Sequence, residues 1–286
     1  SIINTHLFVG ASLILADASL MEKKFWDLIY EHNVTTFGGV PYTFEMLKKL
    51  KFEKINLQSL RYITQAGGKL SQSLQEYFSN ICDEKKIDFV VMYGQTEASP
   101  RMSYLPPKMH KHKLGSIGIP IPGGKFYLIN KNNQIINEPD IEGELVYEGE
   151  NVSLGYARNC YELASLDSNN GVLKTGDLAK KDCDGYYYII GRKKRFLKMF
   201  GNRVSLYQIE QKINEAGYNC ACVGEDDKMK IYTTEKSNID KIKNFISDNF
   251  NLNISGFSII YIDSLPRNTS GKILYSELEE INYVSN

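Results

Sequence analysis

An alternation of strand-like and helix-like segments along the first 112 residues constrains the fold of this chain most strongly. Apolar runs with the length of buried strands occur at 34–40 (VTTFGGV), 60–67 (LRYITQAG) and 88–94 (DFVVMYG). The segments between them carry apolar residues on one helical face, and Pro41 occupies the first turn of one such helix. This alternation predicts an α/β fold in which helices cover a parallel sheet. The apolar run at 12–16 (SLILA) predicts a further buried strand.

A different pattern begins near residue 113. Two short strand-like runs flank an Asn-rich turn at 125–136, and Asp184-Gly185 is typical of a hairpin turn. Further on, Ser205 and Gln208 form a capping box before an amphipathic helix. The patterns together predict a large domain at 1–191, comprising an α/β part at 1–112 and a β-rich part at 113–191, and then a compact α+β domain at 192–286.

The charge balance and the cysteines exclude several classes of protein. Lysine plus arginine total 34, as do aspartate plus glutamate, so no electrostatic argument favours nucleic acid or an anionic membrane. No apolar run reaches the roughly 20 residues that span a bilayer. The five cysteines are scattered without a C-x-x-C motif, which favours free thiols in a reducing compartment and predicts a cytoplasmic protein. His110 and His112 are too few ligands to indicate a metal site.

The stretch LPRNTSGK near the carboxyl end places Lys272 after a polar, turn-forming run. A Gly-Lys pair belongs to the phosphate-binding P-loop pattern G-x-x-x-x-G-K-[ST]. Here Pro266 stands where the pattern needs glycine, and Ile273 stands where it needs serine or threonine. The P-loop is therefore excluded, and the stretch by itself indicates no more than a solvated lysine on a loop.

Four stretches, taken in their order, carry a resemblance to a known family. They are YGQTE (93–97), KTGDL (174–178), GRKKRFLKMFGNRV (191–204) and LPRNTSGK (265–272). Together they resemble the adenylate-forming superfamily of AMP-dependent synthetases and ligases, and FGGVPYTFEML resembles its acyl-CoA synthetase branch. The resemblance implies the second half of the large domain of that fold, followed by a mobile C-terminal domain. The family's phosphate-binding loop is expected upstream, outside these residues.

The reaction that the resemblance implies joins a carboxylate to the α-phosphate of ATP and releases pyrophosphate. Two anions must meet, so positioning and positive charge dominate the barrier. By resemblance Lys272 is the lysine that bridges the substrate carboxylate and the nucleotide. Glu97 supplies a carboxylate suited to Mg²⁺, and Thr96 offers a hydroxyl to a phosphate oxygen.

The resemblance also implies a set of nucleotide-binding residues. Tyr93 offers a flat face to adenine, and Asp177 can accept hydrogen bonds from both ribose hydroxyls. Core packing for Tyr93 and a turn position for Asp177 remain the alternatives. The complete set is Gly67, Gly68, Tyr93, Gly94, Asp177 and Arg192.

Residues of the second half-reaction follow the same resemblance. Lys194 occupies the hinge position, about which the small domain of the family rotates after adenylation. Rotation would present Lys198, Gly201 and Arg203 to an incoming thiol for thioesterification. The family often carries acidic residues after the hinge, whereas this chain has the basic run 193–195, for which a solvated hairpin is the alternative.

An acyl pocket is implied for four apolar residues, Val40, Tyr42, Phe44 and Met92. Gly94 and Gly118 are expected to leave room beside them. These residues would equally suit an ordinary core, because apolar side chains are mostly buried.

The implied function is an ATP-dependent acid–thiol ligase, present here as a fragment. Its cofactors are ATP and Mg²⁺, with coenzyme A or the phosphopantetheine of a carrier protein as acceptor. The expected partners are a small carboxylic acid, an acyl carrier protein and the upstream segment as a separate chain. Two alternatives stay open: an amino-acid-adenylating domain that loads a carrier protein, and a non-catalytic remnant or part of a split enzyme. Without the upstream loop we expect the chain alone to be weakly active or inactive.

Overall fold

A computed structural model describes residues 2–193, 195–250, 252–268 and 271–281. The chain divides into two compact units. The first comprises residues up to 175 together with 179–189, and the second comprises 176–178 and the residues from 190 onward.

A five-stranded sheet organises the first half of the first unit. Its strands lie side by side in chain order: β1 (Thr36–Gly39), β2 (Tyr62–Gln65), β3 (Asp88–Gly94), β4 (Arg101–Tyr104) and β5 (Ile119–Pro120). The first three strands are parallel, and β4 and β5 are antiparallel to their neighbours. The parallel α/β arrangement predicted from the alternating segments is confirmed.

Helices of this unit alternate with the parallel strands. They are α1 (Ile2–Phe8), α2 (Lys23–Glu31), α3 (Pro41–Lys49) and α4 (Gln72–Lys85). Pro41 opens α3 as predicted, because the first helical position needs no backbone N–H donor. The Ser71 hydroxyl caps α4 by accepting a hydrogen bond from the amide of Leu74 at 3.3 Å.

The core of this part is an aromatic cluster between the helices and the sheet. The ring of Phe44 on α3 meets the ring of Phe78 on α4 edge to face, with centroids 4.9 Å apart. Phe89 on β3 lies 5.7 Å from Phe44, and all three side chains are fully buried. Burial on this scale dominates the stability of such a layer, because each fully buried large side chain contributes about 1.5–3 kcal/mol.

The predicted buried strand at 12–16 was wrong. The segment forms no strand, and Ile14 and Leu15 are 40% and 85% exposed. The apolar composition was read correctly, but a strand also requires a neighbour for its backbone hydrogen bonds, and none pairs with this segment among the described residues.

A second five-stranded sheet follows. Its strands are β6 (Lys125–Ile129), β7 (Ile135–Ile136), β8 (Gly143–Glu148), β9 (Val172–Lys181) and β10 (Tyr187–Arg192), in the spatial order β10-β9-β8-β6-β7. β6 and β7 are antiparallel around the Asn-rich turn, as the sequence predicts. Asp184 and Gly185 lie in the turn between β9 and β10.

The second unit begins with an antiparallel hairpin, β11 (Phe196–Met199) and β12 (Asn202–Ser205). A three-stranded sheet follows, in which β13 (Cys220–Glu225) is antiparallel and β15 (Phe257–Tyr261) parallel to β14 (Lys228–Thr233). The helices are α5 (Leu206–Glu215), α6 (Ile239–Phe250) and α7 (Tyr275–Glu280). Ser205 caps α5 by accepting from the amide of Gln208 at 3.3 Å.

The cysteines are free thiols, and three of them are buried. Cys220 and Cys222 alternate along β13 and lie in one core cluster of the second unit. Burial raises the pKa of the Cys82 thiol to about 12, so this group is inert at neutral pH. Within the described part of the chain, no helix has the length and apolarity that crossing a membrane requires.

Candidate active site

The carboxyl ends of β1, β2 and β3 collect most of the predicted site residues of the first unit. Because the three strands are parallel neighbours, their last residues lie at one edge of the sheet. Val40 follows β1, and Gly67 and Gly68 follow soon after β2. β3 ends at Gly94, and Thr96 and Glu97 lie in the turn that follows it. Ligands of open α/β sheets bind at this edge.

Glu97 lies in a short 3₁₀ turn that a neighbouring loop braces. The amide of Ser153 donates to the Glu97 carbonyl at 2.8 Å. Asn151 reaches the same turn, and its side-chain nitrogen donates to the carbonyls of Ala98 at 2.5 Å and Arg101 at 2.8 Å. The preceding residue, Thr96, is exposed at the surface of the turn. The backbone around Glu97 is thus fixed from outside the motif.

Tyr156 was not among the predicted site residues, although its hydroxyl donates a hydrogen bond to the Glu97 carboxylate. This hydrogen bond raises the pKa of the Tyr156 phenol. The sequence gives no signal for this contact, because Tyr156 lies 59 residues beyond Glu97. Tyr156 orients one carboxylate oxygen of Glu97 without neutralising its charge.

The donor set around Glu97 fits a magnesium ion that takes most of its ligands from substrate. Within the described residues no group of three or more His, Cys, Asp and Glu side chains could hold a metal ion by itself. Mg²⁺ is usually held by one or two carboxylates together with phosphates and waters. Glu97 would be the protein ligand in such a site.

Tyr93 is half-buried, and its ring packs against the core that surrounds Phe126. Its ring packs edge to face against Phe126, with centroids 6.2 Å apart. Gln95 donates to the Tyr93 hydroxyl at 3.4 Å and to the Thr175 carbonyl at 2.9 Å. The ring is therefore held in place by core contacts on one side, which leaves its role toward adenine a prediction.

At Gly94 and Gly118 the position that a Cβ atom would take is filled by backbone. A Cβ atom at Gly94 would lie 1.7 Å from the Pro100 carbonyl oxygen, and one at Gly118 would lie 1.9 Å from that of Tyr104. Gly118 also has a φ of +83°. Both positions need glycine because the backbone of a neighbouring segment approaches closely, and their place beside an acyl group stays a prediction.

Of the four residues predicted for the acyl pocket, Phe44 belongs to the core, and the pocket role of the other three stays a prediction. Phe44 is fully buried in the aromatic core between helices and sheet. Tyr42 is 47% exposed at the start of α3, and Val40 and Met92 are half-buried. The side chain of Phe44 therefore serves the core, which was the alternative interpretation of this residue.

In the second unit, Asp177 and Arg192 form an ion pair. The Arg192 Nε atom donates to Asp177 Oδ1 at 2.9 Å. The Asp177 side chain is 4% exposed, whereas that of Arg192 is 64% exposed. Asp177 lies within β9 rather than in a turn, so the alternative interpretation of this residue was wrong. The ribose role of the pair stays a prediction.

The hairpin β11–β12 carries the predicted thioesterification residues. Lys198 and Arg203 are opposite each other across the hairpin, and Gly201 lies in its turn with a φ of +85°. The Arg203 guanidinium lies 3.9 Å from the centroid of the Phe196 ring. Two aspartates hold the backbone of this hairpin: Asp226 accepts from the amide of Lys198 at 2.7 Å, and Asp227 from that of Phe200 at 2.5 Å.

The predicted hinge residue, Lys194, lies outside the described residues.

Lys272 is exposed, and hydrogen bonds join its backbone to Asn268 on the other side of the loop. Its amide donates to Asn268 Oδ1 at 2.9 Å, and its carbonyl accepts from the Asn268 amide at 2.9 Å. The Arg267 side chain donates to the Gly271 carbonyl at 2.8 Å, and the backbones of Arg267 and Ile273 form an isolated antiparallel β-bridge. The described residues on both sides of Lys272 are thus joined by hydrogen bonds.

The basic run after the hinge is not a solvated hairpin throughout, because Arg195 is largely buried. Its side chain is 17% exposed and forms an ion pair with Glu210 on α5 at 2.7 Å. The sequence run contained no signal for this, since the partner lies 15 residues further along.

Comparison with known proteins is consistent with this arrangement. The AMP-binding enzyme family matches residues 1–157. Acetyl-coenzyme A synthetase 1 of Saccharomyces cerevisiae is 28% identical over 291 residues, which cover 91% of this chain and 40% of the yeast protein. The 2-succinylbenzoate–CoA ligase of Bacillus licheniformis is 29% identical over 234 residues, covering 77% of this chain and 46% of the relative. The chain thus spans about half the length of these relatives.

Solved structures share the fold. O-succinylbenzoate coenzyme A synthetase from Bacillus subtilis, in complex with ATP and a magnesium ion, superimposes with a TM-score of 0.78 at 22% identity. The alignment covers 98% of this chain and 58% of the Bacillus chain. Since the family match covers more than half of its residues, this chain belongs to the AMP-binding enzymes of the adenylate-forming superfamily.

Proposed function

We propose that this chain is part of an ATP-dependent acid–thiol ligase. The reaction adenylates a carboxylic acid with release of pyrophosphate and then transfers the acyl group to the thiol of coenzyme A or of a carrier protein. The observation that carries this proposal is the shared edge of the three parallel strands, where Gly67, Gly68, Thr96 and Glu97 lie together. Membership of the family and the acid–CoA ligases among its relatives support it.

In the first unit, the proposed task is to bind the nucleotide and its metal ion. Glu97 would hold Mg²⁺, whose charge offsets that of the phosphates when it is bound. Thr96 is exposed beside it and can donate a hydroxyl to a phosphate oxygen. Tyr156 and Asn151 fix the orientation of this turn, which lowers the reorganisation that ligand binding requires.

In the second unit, the proposed tasks are divided between two surfaces. Lys272 would place its ammonium group on the substrate carboxylate and the nucleotide during adenylation, as a compact point charge. Lys198, Gly201 and Arg203 would serve thioester formation on the hairpin β11–β12. Asp177 would accept hydrogen bonds from the ribose hydroxyls, with Arg192 beside it.

Efficient turnover is proposed to need sequence beyond these 286 residues. The chain spans about half the length of its relatives, and it contains no Gly-rich loop with the P-loop pattern. A segment that supplies contacts to the β- and γ-phosphates would raise the adenylation rate, whether it is joined to this chain or is a separate polypeptide.

Acid-dependent ATP–pyrophosphate exchange tests the proposal. The assay uses a panel of fatty, aromatic, dicarboxylic and amino acids, with the chain alone and with the preceding half of a relative supplied. Exchange that disappears in Lys272→Ala and persists in Lys198→Ala would support the ligase and identify its acid class, because Lys198 is assigned to the second step only. Exchange confined to amino acids would favour the amino-acid-adenylating alternative. No exchange with any acid in either form would overturn the proposal and favour a non-catalytic remnant.

A further inference from the structure

Four hydrogen bonds converge on one buried carboxylate in the second unit, that of Glu210. Arg195 approaches it in a fork, with Nη1 at 3.0 Å from Oε2 and Nη2 at 2.7 Å from Oε1. The amide of Cys222 donates to Oε1 at 2.6 Å, and the hydroxyl of Tyr275 donates to Oε2 at 3.1 Å. Both carboxylate oxygens are therefore doubly satisfied, which is the condition for a stable buried charge.

Arg195 is held as completely as its partner. Its Nη2 atom also donates to the Cys222 carbonyl at 2.9 Å. The guanidinium lies over the ring of Tyr275, 3.8 Å from the centroid. Fork-like pairing and stacking on an aromatic face are interactions that arginine makes and lysine does not.

The network joins four elements that are far apart in the sequence. Arg195 precedes β11, Glu210 is on α5, Cys222 is on β13 and Tyr275 is the first residue of α7. Tyr275 follows Lys272 by only two intervening residues, so whatever fixes Tyr275 also fixes one end of the Lys272 loop.

The other end of the loop is held by apolar packing. Leu265 is buried in a cluster with Ala221, Val223, Tyr232 and Leu278, and Ile273 packs against the same cluster. The amide of Leu274 donates to the Pro266 carbonyl at 2.9 Å and closes the base. Apolar contacts resist separation but fix direction poorly, because the hydrophobic effect is not directional. The Tyr275 hydroxyl supplies a directional contact.

We propose that Arg195, Glu210 and Tyr275 act as a positioning network that fixes the base of the Lys272 loop. This inference rests on the role proposed above for Lys272 in adenylation. None of the three residues touches substrate in this assignment. They act by limiting where the ammonium group of Lys272 can lie, and a displacement of about 1 Å of a reacting group can slow a reaction about 100-fold.

Tyr275→Phe is the most selective test, because it removes the hydroxyl and keeps the ring beneath Arg195. The matched control is Tyr218→Phe, which removes a half-buried hydroxyl of the same unit that has no partner among the described residues. Loss of a hydrogen bond to a charged group shifts a local equilibrium roughly tenfold or more. We expect the thermal midpoint of Tyr218→Phe to stay close to that of the unsubstituted chain and that of Tyr275→Phe to fall by about 4–8 °C, so both variants remain folded in the assays.

Limited trypsin digestion gives a readout that needs no enzyme activity. Arg267 and Lys272 are both cleavage sites within the loop, and cleavage there requires local opening. We expect early cleavage after these two residues to be about tenfold faster in Tyr275→Phe than in the unsubstituted chain, and unchanged in Tyr218→Phe. Equal cleavage rates in all three proteins would overturn the proposal.

The two half-reactions give the second readout. In Tyr275→Phe we expect ATP–pyrophosphate exchange to fall about tenfold, with the loss in kcat rather than KM. Thioester formation from supplied acyl-adenylate should change less than about twofold, since Lys272 is not assigned to that step. Equal loss in both half-reactions would indicate a general structural effect and contradict the positioning role. If the unsubstituted chain shows no exchange even with the preceding half of a relative supplied, the proposed function fails and the cleavage rates alone decide the positioning network.

Discussion

Two arginines in the second unit, three positions apart in the sequence, are paired in opposite ways. Arg192 is 64% exposed and donates one hydrogen bond to Asp177, whose side chain is 4% exposed. Arg195 is 17% exposed, and its partner Glu210 is 8% exposed. Arg195 makes two hydrogen bonds to the carboxylate, one to a backbone carbonyl and a stacking contact.

The difference separates a structural ion pair from one suited to a ligand. A buried pair is stable only when nearly every donor and acceptor is satisfied, and Arg195 with Glu210 meets that condition. The exposed guanidinium of Arg192 keeps most of its donors directed to solvent, where a ligand can reach them. Stability should therefore depend mainly on the Arg195 pair, and nucleotide binding on the Arg192 pair.

The largest expected effect is that of Glu210→Ala. This change leaves the guanidinium of Arg195 buried without a counter-charge, and we expect the free energy of unfolding of the second unit to fall by about 3–5 kcal/mol. Urea unfolding followed by circular dichroism measures it. Glu215→Ala is the control on the same helix, where Glu215 is exposed and accepts one hydrogen bond from Gln211, and it should change stability by less than about 0.5 kcal/mol. Similar losses in the two variants would remove the distinction between buried and exposed pairs.

An ion-pair cluster in the first unit extends the comparison to pH. Lys113 donates to Asp182 at 2.8 Å and to Asp184 at 2.5 Å, and the Asp184 side chain is 63% exposed while that of Asp182 is 17% exposed. Burial raises the pKa of Asp182, but hydrogen bonds from Lys113, the Tyr186 amide and the Tyr188 hydroxyl outweigh it, so the net pKa is lowered.

Because the folded-state pKa of Asp182 is below its usual value of about 4, its stabilising contribution is present above that value and is lost as the pH falls through the folded pKa. We expect Asp182→Asn to lower the urea midpoint at pH 7 more than Asp184→Asn does. The difference between the unsubstituted chain and Asp182→Asn should shrink below about pH 4. A difference that is constant from pH 7 to pH 3 would contradict the assignment.

The smallest effect on stability is expected for Arg192→Ala. The Arg192 side chain is largely in solvent, but its removal takes one partner from the buried Asp177 carboxylate, so we expect a loss of about 1–3 kcal/mol in the free energy of unfolding, less than for Glu210→Ala. ATP affinity, measured by titration calorimetry, should nevertheless weaken about tenfold if Arg192 contacts the nucleotide, which corresponds to about 1.4 kcal/mol. A variant that loses stability but binds ATP normally would reverse the roles assigned to the two pairs.

Periodicity predicts the helices and strands well where an apolar face and a partner coincide. The helix opened by Pro41 and the parallel strands around Phe89 are examples, since local pattern and tertiary packing agree there. The predicted strand at 12–16 fails because its apolar pattern says nothing about whether a neighbouring strand is present.

The motifs name candidate site residues but give no sign of the side chains that support them. Glu97 and Gly67 lie at one sheet edge as expected, but the bracing side chains Asn151 and Tyr156 come from a loop more than 50 residues away. The sequence predicts that Arg195 is a solvated cation, whereas the structure pairs it with Glu210. Long-range pairing of this kind leaves no period in the sequence, so pattern reading cannot find it.

Gly94 and Gly118 set a limit on how this region can diverge in sequence. At both positions the volume of a single methyl group is already occupied by a main-chain carbonyl of the neighbouring segment. A main chain cannot shrink as a side chain can, so no compensating substitution nearby can make room for alanine. In a saturation mutagenesis library, almost every substitution at Gly94 and Gly118 should abolish folding. A Cβ atom added at Gly123 would meet no atom within 4 Å, so this position should still accept asparagine or aspartate. Related sequences could then change the close backbone approach at these glycines only by insertion or deletion of residues, and not by point substitution.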